Sequence, residues 1–218
     1  MHLDPGTKGK LRTTPHIPNR PVFLIRHARC GSHGTLLGAA DPPLTAEGRA
    51  DSAELGRRLR GESIGRIVSS DLCRARETAA IVAAELNLTV EIDPRLNEIS
   101  YGAWDGLAWA EIESRFPDAA ARKLSDWFRF TPEGMEPFPD FFARVKQAWD
   151  SLAETGPAQT AIVAHRTVNA VLLAIASDPA LSASDLQGPA GERIYRFEQP
   201  HASFVLTPGS TPHLNSSE

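Results

Sequence analysis

Disulfides cannot be what holds this chain together: its 218 residues include two cysteines, Cys30 and Cys73, far short of the paired framework on which small secreted domains rely. A reducing, cytoplasmic setting is the expectation. Long hydrophobic runs are missing as well. No stretch approaches the roughly 18 consecutive apolar residues of a membrane span. Residues 1–20 hold Lys8, Lys10 and Arg12 with no apolar run behind them, which is not the pattern of a secretory signal. Nor is there an excess of positive charge. The net charge is −4, which argues against a protein that lives on nucleic acid or on an anionic membrane. An anionic substrate would have to be drawn in by a local basic cluster. What is there is ordinary for a globular protein, 41% hydrophobic and 23% charged residues. The length suits one well-cored domain with room for a small cap.

No internal repeat is visible. Residues 1–20 read as a flexible N-terminal arm, 21–207 as a single domain and 208–218 as a flexible tail. Val22-Phe23-Leu24-Ile25 is the short continuous apolar run of a strand buried on both faces. Thr45 is a fitting N-cap for a helix with Ala46, Ala50, Ala53 and Leu59 at helical spacing. Ile67-Val68 predicts a second strand. Ser69-Ser70-Asp71 behind it reads as the cap of a helix reaching about Leu86, with a strand over 89–92 beyond. Ala161-Ile162-Val163-Ala164 predicts another strand, between an amphipathic helix marked by Phe141, Val145, Ala148 and Leu152 and a helix marked by Val168, Val171, Leu172 and Ile175. Residues 194–197 and 203–206 could pair as antiparallel edge strands. The alternation predicts an α/β fold, a mainly parallel sheet with helices on both faces. Residues 104–139 fit this rhythm poorly. They hold Trp104, Trp109, Phe116, Trp127, Phe128 and Phe130, and read as a small cap or excursion over the site.

The polar residues fall where they matter. Arg26 and His27 follow the first strand directly, Arg74 lies in the first turn after the second, and His165 and Arg166 follow the third. Ligands of an open parallel sheet bind outside the carboxyl ends of its strands, so three junctions would deliver two His and two or three Arg to one crevice. Guanidinium forks and helix N-termini suit a tetrahedral anion. A histidine lodged among arginines stays neutral, with a lone pair free to attack.

Five segments resemble the histidine phosphatase superfamily, which includes the phosphoglycerate mutases and alpha-ribazole phosphatase. They are Leu24-Ile25-Arg26-His27-Ala28, the Gly38 to Gly48 stretch with Asp41 and Pro43-Leu44-Thr45, the Ser69 to Ala79 stretch with Arg74, the Leu96 to Gly106 stretch with Glu98, and Val163-Ala164-His165. The similarity covers about residues 21–206. It implies a phosphoglycerate mutase-like fold and a metal-independent phosphatase acting on a small organic phosphate monoester. In that reading His27 becomes phosphohistidine, and Arg26, Arg74 and His165 clamp the phosphoryl oxygens. Glu98 protonates the leaving oxygen and then activates water. No metal or cofactor is required.

The chain departs from the family pattern at Ala28, where Gly is usual, at Cys30 and His33, where many members have Thr and Asn that help hold phosphate or substrate, and at Arg166, where a small residue is usual. Cys30, His33 and Arg166 are therefore candidate substrate contacts. Other readings stand beside this one. A phosphoglycerate mutase-like phosphotransferase would use the same residues, and a non-catalytic phosphate-binding module would keep them idle. His27, Cys30, His33 and His165 could instead be ligands of a zinc hydrolase, although Arg26 and Arg29 would repel a cation.

Overall fold

The first strand, β1 (Val22–Arg26), sends its side chains to two different cores. Phe23 and Ile25 join one, Val22 and Leu24 the other, which is why the run is apolar without alternation. The computed structural model describes residues 22–31, 34–154, 159–177, 203–206 and 213–215. The remaining strands are β2 (Ile64–Ser69), β3 (Val90–Ile92), β4 (Gln159–Ala164), β5 (Ser203–Leu206) and β6 (His213–Asn215). They form one sheet in the order β3-β2-β4-β1-β5-β6. β3, β2, β4 and β1 run parallel, while β5 lies antiparallel to β1 and β6 antiparallel to β5. The sheet is thus mainly parallel, as expected. β6 falls within the segment read as a tail, and residues 194–197 lie outside the described residues.

The helices are α1 (Ala46–Leu59), α2 (Cys73–Leu86), α3 (Trp109–Arg115), α4 (Pro117–Ser125), α5 (Phe138–Glu154) and α6 (Arg166–Ser177). Leu59 of α1 and Ala75, Ala79, Val82 and Ala83 of α2 close the core around Phe23, Ile25, Ile67, Ala161 and Val163. On the opposite face, Phe141, Val145 and Trp149 of α5 and Val168, Leu172 and Ile175 of α6 close the core around Leu24 and Ile162. Each such buried Val, Leu, Ile or Phe contributes roughly 1.5–3 kcal/mol. Among the described residues no helix is long and apolar enough to cross a membrane.

Thr45 caps α1 as expected, its hydroxyl oxygen accepting the Gly48 N–H at 3.0 Å. The start of α2 differs. Its N-cap is Leu72, which has no capping side chain. The Asp41 carboxylate, from a distant loop, accepts the Cys73 N–H at 2.6 Å and the Arg74 N–H at 3.4 Å. An anion from elsewhere satisfies the orphan donors, which leaves the Ser70 hydroxyl free for other partners.

Residues 104–139 contain α3, α4 and the turns around them. Trp104 packs against Trp109 and Phe116 at centroid distances of 6.1 Å, and Trp109 against Trp127 at 6.0 Å. These rings extend the same core that holds Leu24 and Ile162, so the aromatic surplus is core. Lys123 is buried beneath Trp127, its Nζ donating to the Phe130 carbonyl at 2.8 Å. Burial draws its pKa down to about 8. At the base of the cap a Cβ on Gly102, which has φ +60°, would collide with the Gly134 carbonyl. Only glycine permits that contact.

Candidate active site

The carboxyl ends of the three central parallel strands are level with one another. Arg26 is in register with Ala164, and Ser69 with Val163. One residue beyond each end the ladder continues, the His27 N–H donating to Ala164 O at 2.9 Å and the Ser70 N–H to Val163 O at 3.0 Å. His27 and His165 are brought together by this register, with ring centroids 5.3 Å apart.

The orientation of His27 is set by backbone. Its Nδ1 lies 2.9 Å from the Ala28 carbonyl oxygen. A carbonyl only accepts, so Nδ1 carries the proton and Nε2 keeps its lone pair. The Ala28 N–H donates to Thr78 Oγ1 at 3.0 Å, and that hydroxyl donates to Arg74 O at 2.8 Å. The peptide behind His27 is therefore pinned to the first turns of α2. Burial and the charge of Arg26 pull the His27 pKa down to about 3, which keeps the ring neutral at any working pH.

Arg74 is fully buried, and most of its donors face the loop that caps its own helix. Nη1 donates to Ala40 O at 2.8 Å and to Asp41 Oδ1 at 3.2 Å, and Nη2 to Gly38 O at 2.9 Å. Its Nε is buried without a partner, as is Nε of the partly buried Arg26. Burial pulls the Arg26 guanidinium below its ordinary value, opposed by the charge of Glu98 and aided by that of Arg166. Arg166 itself is the exposed first residue of α6.

Glu98 is partly buried beside the start of α6. Its two oxygens accept the Ile99 N–H at 3.1 Å and the Thr167 N–H at 3.2 Å. Burial raises its pKa above the ordinary carboxyl value, and those two hydrogen bonds only partly offset this. His165 is wholly buried, with Nε2 2.7 Å from Ser70 Oγ. Burial, the neighbouring His27 ring should it take up a proton, and the charges of Arg74 and Arg26 hold its pKa well below the usual histidine value. The arrangement offers a neutral ring nitrogen with a free lone pair, unpartnered guanidinium N–H groups and a carboxyl whose pKa is raised above the ordinary value. Those are the parts that phosphoryl transfer uses.

Cys30 does not present an open side chain. It is buried in a single bridge with Leu44, near enough to Arg26 to bear on its charge. His33 lies outside the described residues. Among the described residues no group of three or more His, Cys, Asp or Glu side chains could hold a metal ion.

Over residues 22–206 the chain matches the histidine phosphatase superfamily (branch 1). The chain belongs to this superfamily. A relative of the family, the bifunctional protein Rv2228c of Mycobacterium tuberculosis, is 35% identical over 178 residues, covering 80% of this chain and 47% of its own length. The chain therefore spans about half of that relative. The adenosylcobalamin/alpha-ribazole phosphatase of Escherichia coli is 31% identical over 156 residues, covering 70% of this chain and 77% of that protein. Among solved structures, the mycobacterial glucosyl-3-phosphoglycerate phosphatase Rv2419c superposes with a TM-score of 0.68 at 25% identity, covering 90% of this chain and 97% of that one.

Several residues around the candidate site of this histidine phosphatase superfamily member carry no sequence signal of their own. Arg144 of α5 reaches under the Glu98 loop, donating to the carbonyls of Arg95, Asn97 and Glu98 at 2.8, 2.7 and 3.2 Å. The Glu136 carboxylate grips it at 2.6 and 2.7 Å. The Tyr101 phenol is buried beside Glu98 and the Thr167 side chain, and burial together with the charge of Glu98 pushes its pKa up. Arg144→Met should cost about 2 kcal/mol of unfolding free energy in urea titration, because three carbonyls and a carboxylate lose their donor together. A loss below about 0.5 kcal/mol would show that the loop holds its shape unaided.

Proposed function

We propose that this chain is a metal-independent phosphatase that hydrolyses a small organic phosphate monoester through a phosphohistidine on His27. The observation that carries the reading is the His27 Nδ1–H bond to the Ala28 carbonyl, which reserves Nε2 for phosphorus. In the first half-reaction the Nε2–P bond forms as the P–O bond to the alcohol breaks. The proton on Glu98 goes to the departing oxygen. In the second, Glu98 takes a proton from water, the water oxygen bonds to phosphorus and the Nε2–P bond breaks. Inorganic phosphate leaves, and the proton taken from water has returned Glu98 to its starting acid form. The raised Glu98 pKa supports the first role, and its deprotonated form serves the second.

Arg26, Arg74 and His165 would hold the phosphoryl oxygens, with the buried Nε atoms of both arginines still in need of acceptors. Phosphate supplies them. Arg166, exposed at the rim beside Arg26, would meet the remainder of the substrate. Relatives named as phosphatases of alpha-ribazole and glucosyl-3-phosphoglycerate substrates support a small organic monoester over a macromolecular one.

The test is phosphate release from a panel of small monoesters in the presence of EDTA. Release undiminished by EDTA is expected. Release that appears only on adding a divalent metal would overturn the reading, and label exchange between monoester and alcohol without phosphate release would replace it with a mutase.

A further inference from the structure

We propose that Ser70 and Asn97 are positioning residues that hold His165 in its Nε2–H form, so that phosphate is bound only together with a proton on His165 Nδ1. The inference rests on the phosphatase reading above and adds a protonation requirement to it.

The chain of donors leaves one solution. A side-chain atom of Asn97 lies 2.9 Å from the Asp71 N–H, which can only donate, so that atom is the carbonyl oxygen Oδ1. The same oxygen lies 2.8 Å from Ser70 Oγ. The single Ser70 hydroxyl proton therefore points at Asn97. The Leu72 N–H donates to Ser70 Oγ at 3.2 Å, so toward His165, at 2.7 Å, the hydroxyl can only accept. Nε2 must supply the proton, and a neutral His165 is left with a bare lone pair on Nδ1. That Nδ1 is buried and has no partner.

A phosphate oxygen arriving beside His27 is itself an acceptor. Two acceptors face to face in a buried site repel, and the opposite tautomer would only move the clash to Ser70. A second proton on the ring resolves it, turning His165 into an imidazolium that donates to phosphate. The groups that face His165 are Arg26 and His27 at the end of β1, Arg74 on α2 and Arg144 on α5. They carry only positive or neutral charge, so the empty site keeps the ring neutral and the phosphate dianion tips it. The proton comes from solvent or arrives on the monoanionic ligand. The two histidines thus differ because one ring nitrogen meets a carbonyl and the other a hydroxyl whose proton is already committed.

The test uses protein labelled with 15N at histidine, with the His165 signals identified by their loss in His165→Gln. Two-bond 1H–15N spectra are recorded at mildly alkaline pH, where free inorganic phosphate is mainly the dianion. Without phosphate, His165 should show a protonated Nε2 and a bare Nδ1. Saturating phosphate should protonate both nitrogens. Asn97→Ala releases the Ser70 hydroxyl proton to donate to Nε2, and the ring should then switch to the Nδ1–H form and stay neutral when phosphate binds. Ser70→Ala should do the same by removing the acceptor. The wild-type spectra are decisive even if neither variant folds. An Nδ1–H ring in the free protein, or phosphate that shifts the His27 signals while His165 stays neutral, overturns this inference alone. Phosphate that perturbs neither histidine overturns the phosphatase reading as well.

Discussion

His27→Ala should lose at least ~10^4-fold in phosphate release from every monoester the wild type turns over, since removal of the attacking group leaves only binding and charge stabilisation. The lowered His27 pKa of about 3 sharpens the expectation. His27 is neutral throughout the accessible range, so acid would not switch off an attack by it above that value. Quenching wild type during turnover of a 32P-labelled monoester should trap label that is stable to alkali and lost in mild acid, as a phosphoramidate bond requires. His27→Ala should trap none. Label retained in the variant, or turnover within tenfold of wild type, would place the nucleophile elsewhere. The substitution should leave the fold intact, because the His27 side chain makes one hydrogen bond, to its own neighbour's carbonyl.

The second large effect separates substrates by their leaving groups. Glu98→Gln should slow an alkyl phosphate by ~10^2–10^4-fold, the usual worth of a general acid, and p-nitrophenyl phosphate far less, since p-nitrophenolate departs without a proton. The sign of the pH dependence follows from the direction of the Glu98 shift. Its pKa is raised, so the acid form persists above the ordinary carboxyl range. Alkyl phosphate turnover should fall as pH climbs through that raised value. The fall should be absent for p-nitrophenyl phosphate when breakage of its P–O bond is followed alone. Equal losses on both substrates in Glu98→Gln would remove Glu98 from the acid role.

The strands of the sheet were legible because strands buried on both faces are written as unbroken apolar runs, and 22–25 and 161–164 are such runs. β4 begins two residues earlier, at Gln159, where polar side chains at the sheet's rim hide it. The cap was harder. Trp104, Trp109 and Trp127 follow no single period because they pack against one another across turns and across α5, not along one helix face. At the site, the residues at or just beyond strand ends were readable from position, namely Arg26, His27, Arg74 and His165, whereas Glu98, beyond β3 and the turn at 94–96, was indicated only by the family resemblance. Their supports were not. Ser70 precedes a helix and reads as its cap, yet Asp41 takes that duty and Ser70 turns to Asn97 and His165. Arg74 reads as an anion clamp, and most of its donors are spent on the loop at Gly38, Ala40 and Asp41. Such divisions of labour depend on pairs brought together from far apart in the chain, which local pattern does not encode.

The chain has four tryptophans, and Trp104, Trp109, Trp127 and Trp149 all belong to the layer shared by the cap, α5 and α6. The layer of α1 and α2 has none. Intrinsic fluorescence is therefore a one-sided reporter of this molecule, blind to half of its interior. Far-UV ellipticity sees both halves equally. When the two are followed through the same urea titration, coincident midpoints mean that the cap melts with the sheet as one cooperative unit. An emission midpoint at lower urea means that the tryptophan-bearing layer loosens first, with the strand that leads into His27 still paired beneath it.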